Sequence, residues 1–175
     1  MTKINLKNRI KKIKVLALDV DGVMTDGKII FDSEGKETKN FDVQDGFALV
    51  LLKKAGFKTA IITARSSNVV SLRARDLNVD KTYQDAYPKV IAYEQMLKDF
   101  NVTDSDVCFM GDDLPDRQII KRAGLGVAVA NAATEVKRSA HYITKHCGGD
   151  GAIREVIELI LKGQGKWQKI LEADS

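Results

Sequence analysis

Asp19 and Asp21 stand one residue apart at the end of an apolar run, Val15, Leu16, Ala17 and Leu18, and Gly22 follows them. Burying such a run and stopping it at two carboxylates costs free energy that an ordinary turn would not demand. The pair is therefore the candidate chemical centre. Three later stretches offer matching groups. Thr63 and Arg65 follow an apolar run at 57–62, Lys89 follows Pro88, and Gly111, Asp112, Asp113 and Asp116 follow the run at 106–110. Carboxylates held together repel unless a cation neutralises them, and short oxygen ligands suit Mg²⁺. An amine and a hydroxyl beside them could hold phosphate oxygens, which makes this an inventory for phosphoryl transfer. Taken singly, each member has a plainer reading. Asp21 and Gly22 could be a turn, Asp112, Asp113 or Thr63 a helix cap, and Lys89 a surface lysine. The conjunction, with each member at a strand end or helix start, is what points to a site.

The elements that must position these groups follow from periodicity. Strands are expected at 57–63, 81–84, 106–110, 126–130 and 141–144, besides the first. Helices are expected at 45–55, with Asp45 as N-cap and Gly56 past the end, and at 66–77, 88–100, 114–123, 133–139 and 150–162. Strands alternating with helices of about ten residues imply βαβ units and a parallel sheet covered on both faces. The fold class is α/β, doubly wound and mostly parallel, in a single domain over 1–175. In such sheets ligands bind beyond the carboxyl ends of the strands, where the polar residues above all fall. One segment breaks the alternation. Ile29, Ile30 and Phe31, then 36–41, flank Asp32, Ser33, Glu34 and Gly35, which is β-hairpin chemistry over 28–42. Its exposed edge invites pairing with another chain. The last residues, 164–175, weaken into a tail.

Composition narrows the function classes. The 175 residues are 44% hydrophobic and 30% charged, which suits a globular chain with a sizeable core. No apolar run approaches the ~20 residues of a membrane span, and a secretory leader is not recognisable, so a cytoplasmic location is expected. The net charge of +4 is partly local: Lys3, Lys7, Arg9, Lys11, Lys12 and Lys14 crowd the start. With Ile4, Leu6, Ile10 and Ile13 they suit a short amphipathic helix with a basic solvated face rather than a nucleic-acid or membrane surface. Aromatics at 6% give no stacking platform for single strands. Cys108 and Cys147 have no CxxC spacing, and His141 and His146 are isolated, which argues against disulfides or zinc.

Asp19, Asp21, Gly22 and Val23, then Thr63, then Lys89, then Gly111, Asp112, Asp113 and Asp116 resemble the four ordered motifs of the haloacid dehalogenase-like phosphatases. Within that family the likeness is strongest to phosphatases of phosphorylated sugar acids. The hairpin running into Phe41 to Gly46, the segment from Gly148 to Glu155, and Gln164 to Trp167 carry this narrower resemblance, which extends over nearly the whole chain. It implies a hairpin insertion without a large cap domain and a homotetramer built through the hairpins. It also implies an aspartyl-phosphate on Asp19 and proton transfer by Asp21. Mg²⁺ would be held by Asp19, Asp112 and the backbone carbonyl of Asp21. Thr63, Arg65 and Lys89 would bind the substrate, with Asp113 and Asp116 supporting. The family pattern has Arg where Gln44 stands, so the cation for a substrate carboxylate is expected from Arg65 or Lys28. An eight-carbon sugar acid is the expected substrate, with a nine-carbon one as the alternative that residue chemistry alone does not separate. A phospho-accepting receiver would need an acid at the end of its third strand, and the strand ending at Thr63 has none. A non-catalytic oligomerisation module would lack Asp19 or Asp21.

Overall fold

The computed structural model describes residues 3–173, and side chains over 6–172. The Lys3 and Ile4 side chains and the end of the tail at 174–175 lie outside the described residues. Helix α1 (Lys3–Ile10) leads into strand β1 (Val15–Leu18), every residue of which is buried. A two-stranded antiparallel hairpin follows, β2 (Ile30–Phe31) with β3 (Glu37–Thr38). The chain then alternates: α2 (Val43–Lys54), β4 (Lys58–Ile62), α3 (Asn68–Asp76), β5 (Lys81–Tyr83), α4 (Lys89–Phe100) and β6 (Val107–Gly111). After a 3-10 turn at Leu114–Asp116 come α5 (Arg117–Arg122), β7 (Leu125–Ala128), α6 (Thr134–Ser139), β8 (Tyr142–Ile143), α7 (Ala152–Gly163) and α8 (Trp167–Ala173).

The main sheet has six strands in the order β5-β4-β1-β6-β7-β8, and all its pairings are parallel. The chain runs outward from β1 through β4 to β5, then crosses back to β6 on the other side of β1. The crevice beyond β1 is thus the topological switch point, where open α/β sheets receive ligands. Helices on both faces make the strands continuous apolar runs instead of alternating ones. Val15, Leu16 and Ala17 in β1 and Val107 to Met110 in β6 are wholly buried. Amphipathic α7 covers one face, burying Ala152, Ile153, Val156, Ile157, Ile160 and Leu161 at helical spacing. It packs chiefly on α2.

Four expectations need correction. Helix α2 begins at Val43, and its N-cap is Asp42, whose carboxylate accepts from Asp45 N–H at 2.8 Å. Asp45 itself is buried and turned to another helix. The stretch 114–123 divides into a 3-10 turn and α5, because the carboxylate of Asp113 caps Leu114 N–H and draws the first turn tight. Residues 167–173, expected within a loose tail, form a helix. Helix α8 buries Ile170, and Trp167 takes the cations of Arg154 and Lys162 over its ring. The hairpin is present, but its ladder is only two residues long in each strand.

Candidate active site

Strand register brings the acids together before any side chain is considered. Leu18 pairs with Ile61 on one side and Met110 on the other, and Asp19 N–H continues the ladder to the Met110 carbonyl at 3.0 Å. Asp19, one residue past that pairing, and Thr63 and Asp112, two residues past it, emerge from three adjacent strands at the same edge. They line one cavity of about 270 Å³ with Asp21, Arg65, Lys89, Asp113 and Asp116. A larger cavity at the amino ends of the strands, about 360 Å³, is lined by Lys11, Lys12, Lys14 and Lys166 with Asp106 as its one acid. Residue type, and not volume, marks the chemical site.

Asp19, Asp112 and Asp116 place carboxylate oxygens within 4.8 Å of one another. Lys89, at the first position of α4, reaches into this group. Its Nζ lies 2.8 Å from Asp19 Oδ1 and 2.7 Å from Asp116 Oδ1. Asp116 is fully buried, and its other oxygen accepts from the backbone N–H of Asp112 at 3.0 Å, so it fastens the loop and the lysine together. Burial, and then the charge of Asp116, drives the Asp19 carboxyl well above the usual carboxylate range, although Lys89 opposes this. The same two causes push Asp112 up to about 6. Burial works against the Lys89 ammonium, but Asp19 and Asp116 outweigh it and raise its pKa. Three carboxylates against one ammonium leave a formal excess of two negative charges. That is the charge of one divalent cation, and hard oxygen donors are what Mg²⁺ takes. The residues fit the metal.

Asp21 belongs to a second, self-neutralising group. Its Oδ1 is 2.5 Å from Nζ of Lys39, the residue after β3, while Arg65 Nε stands 3.7 Å from Oδ2. Glu37 closes the group, accepting from Arg65 Nη2 at 2.8 Å and from the Ser67 hydroxyl at 2.5 Å, with Lys39 at 3.3 Å. The Ser67 hydroxyl, followed by Lys39 and Arg65, holds the Glu37 carboxyl below its usual range. Two acids and two cations balance, so the net negative charge is confined to the metal-sized group beside it.

Glycines let the loops approach. Gly22, at φ +90°, turns beside the Asp112 carboxylate, where a Cβ would overlap the oxygen. A Cβ at Gly111 would strike the Asp116 side chain, and one at Gly148 the Gly22 carbonyl. Gly149 N–H donates to the Val23 carbonyl at 3.0 Å. The segment from Gly148 to Glu155 is therefore a buttress for the loop carrying Asp21.

The structure brings together Asp19, Asp21, Thr63, Arg65, Lys89, Asp112, Asp113 and Asp116. Asp113 is an exposed cap, and Asp116 holds Lys89. The Asp21 side chain lies on Lys39 and outside the three-acid group. Lys28 pairs with Asp26 on the surface, and Gln44 lines a separate cavity with Tyr142 and Arg154. Arg65 is the cation of that pair that reaches the site. Glu37 and Lys39 were missed. The available signal was an acid and a base alternating on one face of a strand that returns toward an acidic pair. Cys108 is buried, Cys147 exposed, and both are free.

Fold and site define a haloacid dehalogenase-like hydrolase, and the profile of that family matches residues 81–157. The chain is 40% identical over 158 residues to the 3-deoxy-D-manno-octulosonate 8-phosphate phosphatase KdsC of Yersinia pestis, covering 90% of this chain and 84% of the relative. It belongs to that family of 3-deoxy-D-manno-octulosonate 8-phosphate (KDO 8-phosphate) phosphatases. A crystal structure of the Moraxella catarrhalis phosphatase, in complex with magnesium ion, phosphate ion and KDO, matches with TM-score 0.96 at 40% identity, over 99% of this chain and 100% of that one. The cobalt-bound Haemophilus influenzae phosphatase matches with TM-score 0.87 at 33% identity, over 90% of this chain and 92% of that one.

Proposed function

We propose that the protein is a Mg²⁺-dependent phosphatase that hydrolyses KDO 8-phosphate to KDO and phosphate in lipopolysaccharide biosynthesis. The observation that carries this reading is the match along 99% of the chain to a phosphatase crystallised with magnesium ion, phosphate ion and KDO. The three-acid group and Lys89 at the switch point supply the matching chemistry.

Asp19 attacks phosphorus in line, forming the Asp19 O–P bond as the bond to the sugar oxygen breaks. Asp21 gives a proton to the departing sugar oxygen. It then takes one from the water that attacks the aspartyl-phosphate, releasing phosphate and restoring both carboxyls. Lys89 and the Thr63 hydroxyl hold the phosphoryl oxygens, and Asp116 fixes the direction of the Lys89 ammonium. The carboxylates of Asp19 and Asp112 and the backbone carbonyl of Asp21 hold Mg²⁺, whose charge when bound neutralises the phosphoryl oxygens. Arg65 takes the sugar-acid carboxylate. The chain acts as one domain, with 28–42 inserted as the hairpin and 164–175 as a C-terminal extension. Its subunits assemble as a cytoplasmic homotetramer through the hairpins, where Ile29, Ile30 and Phe31 are exposed. Among the described residues no helix is long and apolar enough to cross a membrane.

The test is phosphate release from KDO 8-phosphate, a nine-carbon sugar-acid 9-phosphate and simple sugar phosphates, with and without Mg²⁺. Wild type should prefer KDO 8-phosphate and Asp19→Asn should be inactive on all of them. A preference for the nine-carbon substrate would overturn the substrate, and metal-independent turnover by Asp19→Asn would overturn the mechanism.

A further inference from the structure

Lys39 is an unusual lysine for a short surface hairpin. Its neighbours Thr38 and Asn40 are exposed, yet its side chain is only 1% exposed. An ammonium that far from water needs partners. It has two: Asp21 Oδ1 at 2.5 Å and Glu37 Oε1 at 3.3 Å. Glu37 is anchored in turn from the rigid core side, by the Ser67 hydroxyl at the start of α3 and by Arg65. A chain of hydrogen bonds and ion pairs thus runs from α3 through the hairpin to the carboxyl that the proposed mechanism uses for proton transfer.

The two oxygens of Asp21 are not equivalent. Oδ1 is held by Lys39. Oδ2 lies 3.7 Å from Arg65 Nε, beyond hydrogen-bond reach. A carboxyl that must give a proton to one oxygen and later take one from another needs one atom clamped and one free. Without the clamp, rotation about the Asp21 side-chain torsions would scatter the free oxygen away from the leaving group, and positioning losses of this kind are large.

Resting on the phosphatase reading above, we propose that Lys39 is a positioning residue for proton transfer: the hairpin, through Glu37 and Lys39, pins Asp21 Oδ1 and aims Oδ2 at the leaving oxygen. In the first step the proton moves from Oδ2 to the sugar oxygen as the P–O bond breaks, and Lys39 keeps its own protons throughout. The hairpin is then part of the catalytic apparatus of its own subunit, in addition to any contact it makes with another.

Leaving-group chemistry tests this. Sugar alkoxides need a proton to depart, and p-nitrophenolate does not. The readout is the ratio of kcat for KDO 8-phosphate to kcat for p-nitrophenyl phosphate, measured on the Mg²⁺-loaded full chain. Activity of wild type on both substrates, with none by Asp19→Asn, checks the underlying reading independently. Lys39→Met should then lower the ratio by roughly tenfold or more, as expected for impaired general acid catalysis. Lys39→Arg should recover much of it, and Glu37→Gln should shift it less in the same direction. A ratio equal to wild type in Lys39→Met would overturn the proposal, whether both rates fall together or neither falls. If Lys39→Met loses its cooperative melt, the Glu37→Gln ratio decides by the same criterion. Absence of phosphate release by wild type would remove the reading and this inference with it.

Discussion

Gly22 faces the carboxylate of Asp112 with no space for a Cβ between them, and it turns at φ +90°. The first acidic loop and the third are therefore set against each other by a missing side chain. Gly22→Ala should displace the Asp112 carboxylate as well as strain the backbone, which alone costs roughly 1–2 kcal/mol. The expected outcome is a loss of Mg²⁺-dependent turnover of about 100-fold or more, out of proportion to the fall in melting temperature. Phosphate-release kinetics beside thermal melts check it.

Lys89 holds two buried carboxylates at once, so its removal should cost both activity and stability. Lys89→Met leaves Asp116, at 0% exposure, without its cation. Breaking a buried pair in this way costs about 3 kcal/mol or more. Urea unfolding should show that loss, and kcat should fall by about 100-fold from the lost phosphoryl contact.

Metal affinity should depend on pH with a definite sign. Burial and Asp116 push the Asp112 carboxyl up to about 6 in the absence of a cation. Below that pH a proton competes with Mg²⁺ for the same oxygens, so affinity should weaken as pH falls from 7 to 5. Chelation should abolish turnover, and added Mg²⁺ should restore it. At a hundredfold excess over Kd the metal should stabilise the fold by about 2.7 kcal/mol. Calorimetric titrations at several pH values measure the slope.

Asp45 makes a separate pH prediction. Burial is the largest cause that pushes its carboxyl up to about 6, although Arg154 N–H donates to it at 2.7 Å. The folded state then holds this proton more tightly than the unfolded chain. The contribution to stability is full below about pH 4 and is lost as pH rises through 6, at most about 3 kcal/mol. Asp45→Asn keeps an acceptor oxygen for Arg154 and should flatten that part of the stability profile. Urea unfolding between pH 4 and 7 tests this.

The hairpin leaves Phe31 57% exposed beside exposed Ile29 and Ile30, an apolar edge of the kind that pairs with another chain. Wild type should run as a tetramer by light scattering, and Phe31→Glu should lower the mass toward smaller species without lowering the helix content.

Much of the fold and site was legible because the signals are local. A buried parallel strand is an uninterrupted apolar run, so Val15 to Leu18 and Val107 to Met110 declare themselves, and the polar residues that end them declare the ligand-binding edge. Helix starts were less legible. Asp42 and Asp45 are both capping types, three residues apart, and nothing local says which oxygen meets which N–H. The decision came from α7, whose Arg154 N–H reaches Asp45 across 109 residues of sequence. The stretch from 164 on reads locally as a tail, but Ile170 and Trp167 find apolar and cationic partners that the local pattern does not reveal.

By itself the sequence determined the strand–helix alternation, the acids, Thr63 and Lys89 at strand ends and helix starts, and the chemistry that such residue types permit. Those follow from period and residue type, which short stretches carry. Only the tertiary structure decided how the charges divide. Asp116, not the Asp21 side chain, completes the three-acid group with Asp19 and Asp112, and Lys89 spans it. Asp21 is instead held by Lys39, with Arg65 and Glu37 in the same neutral group. The physical reason is range. Periodicity acts over a few residues, whereas ion pairing and burial act through space between groups far apart in the chain.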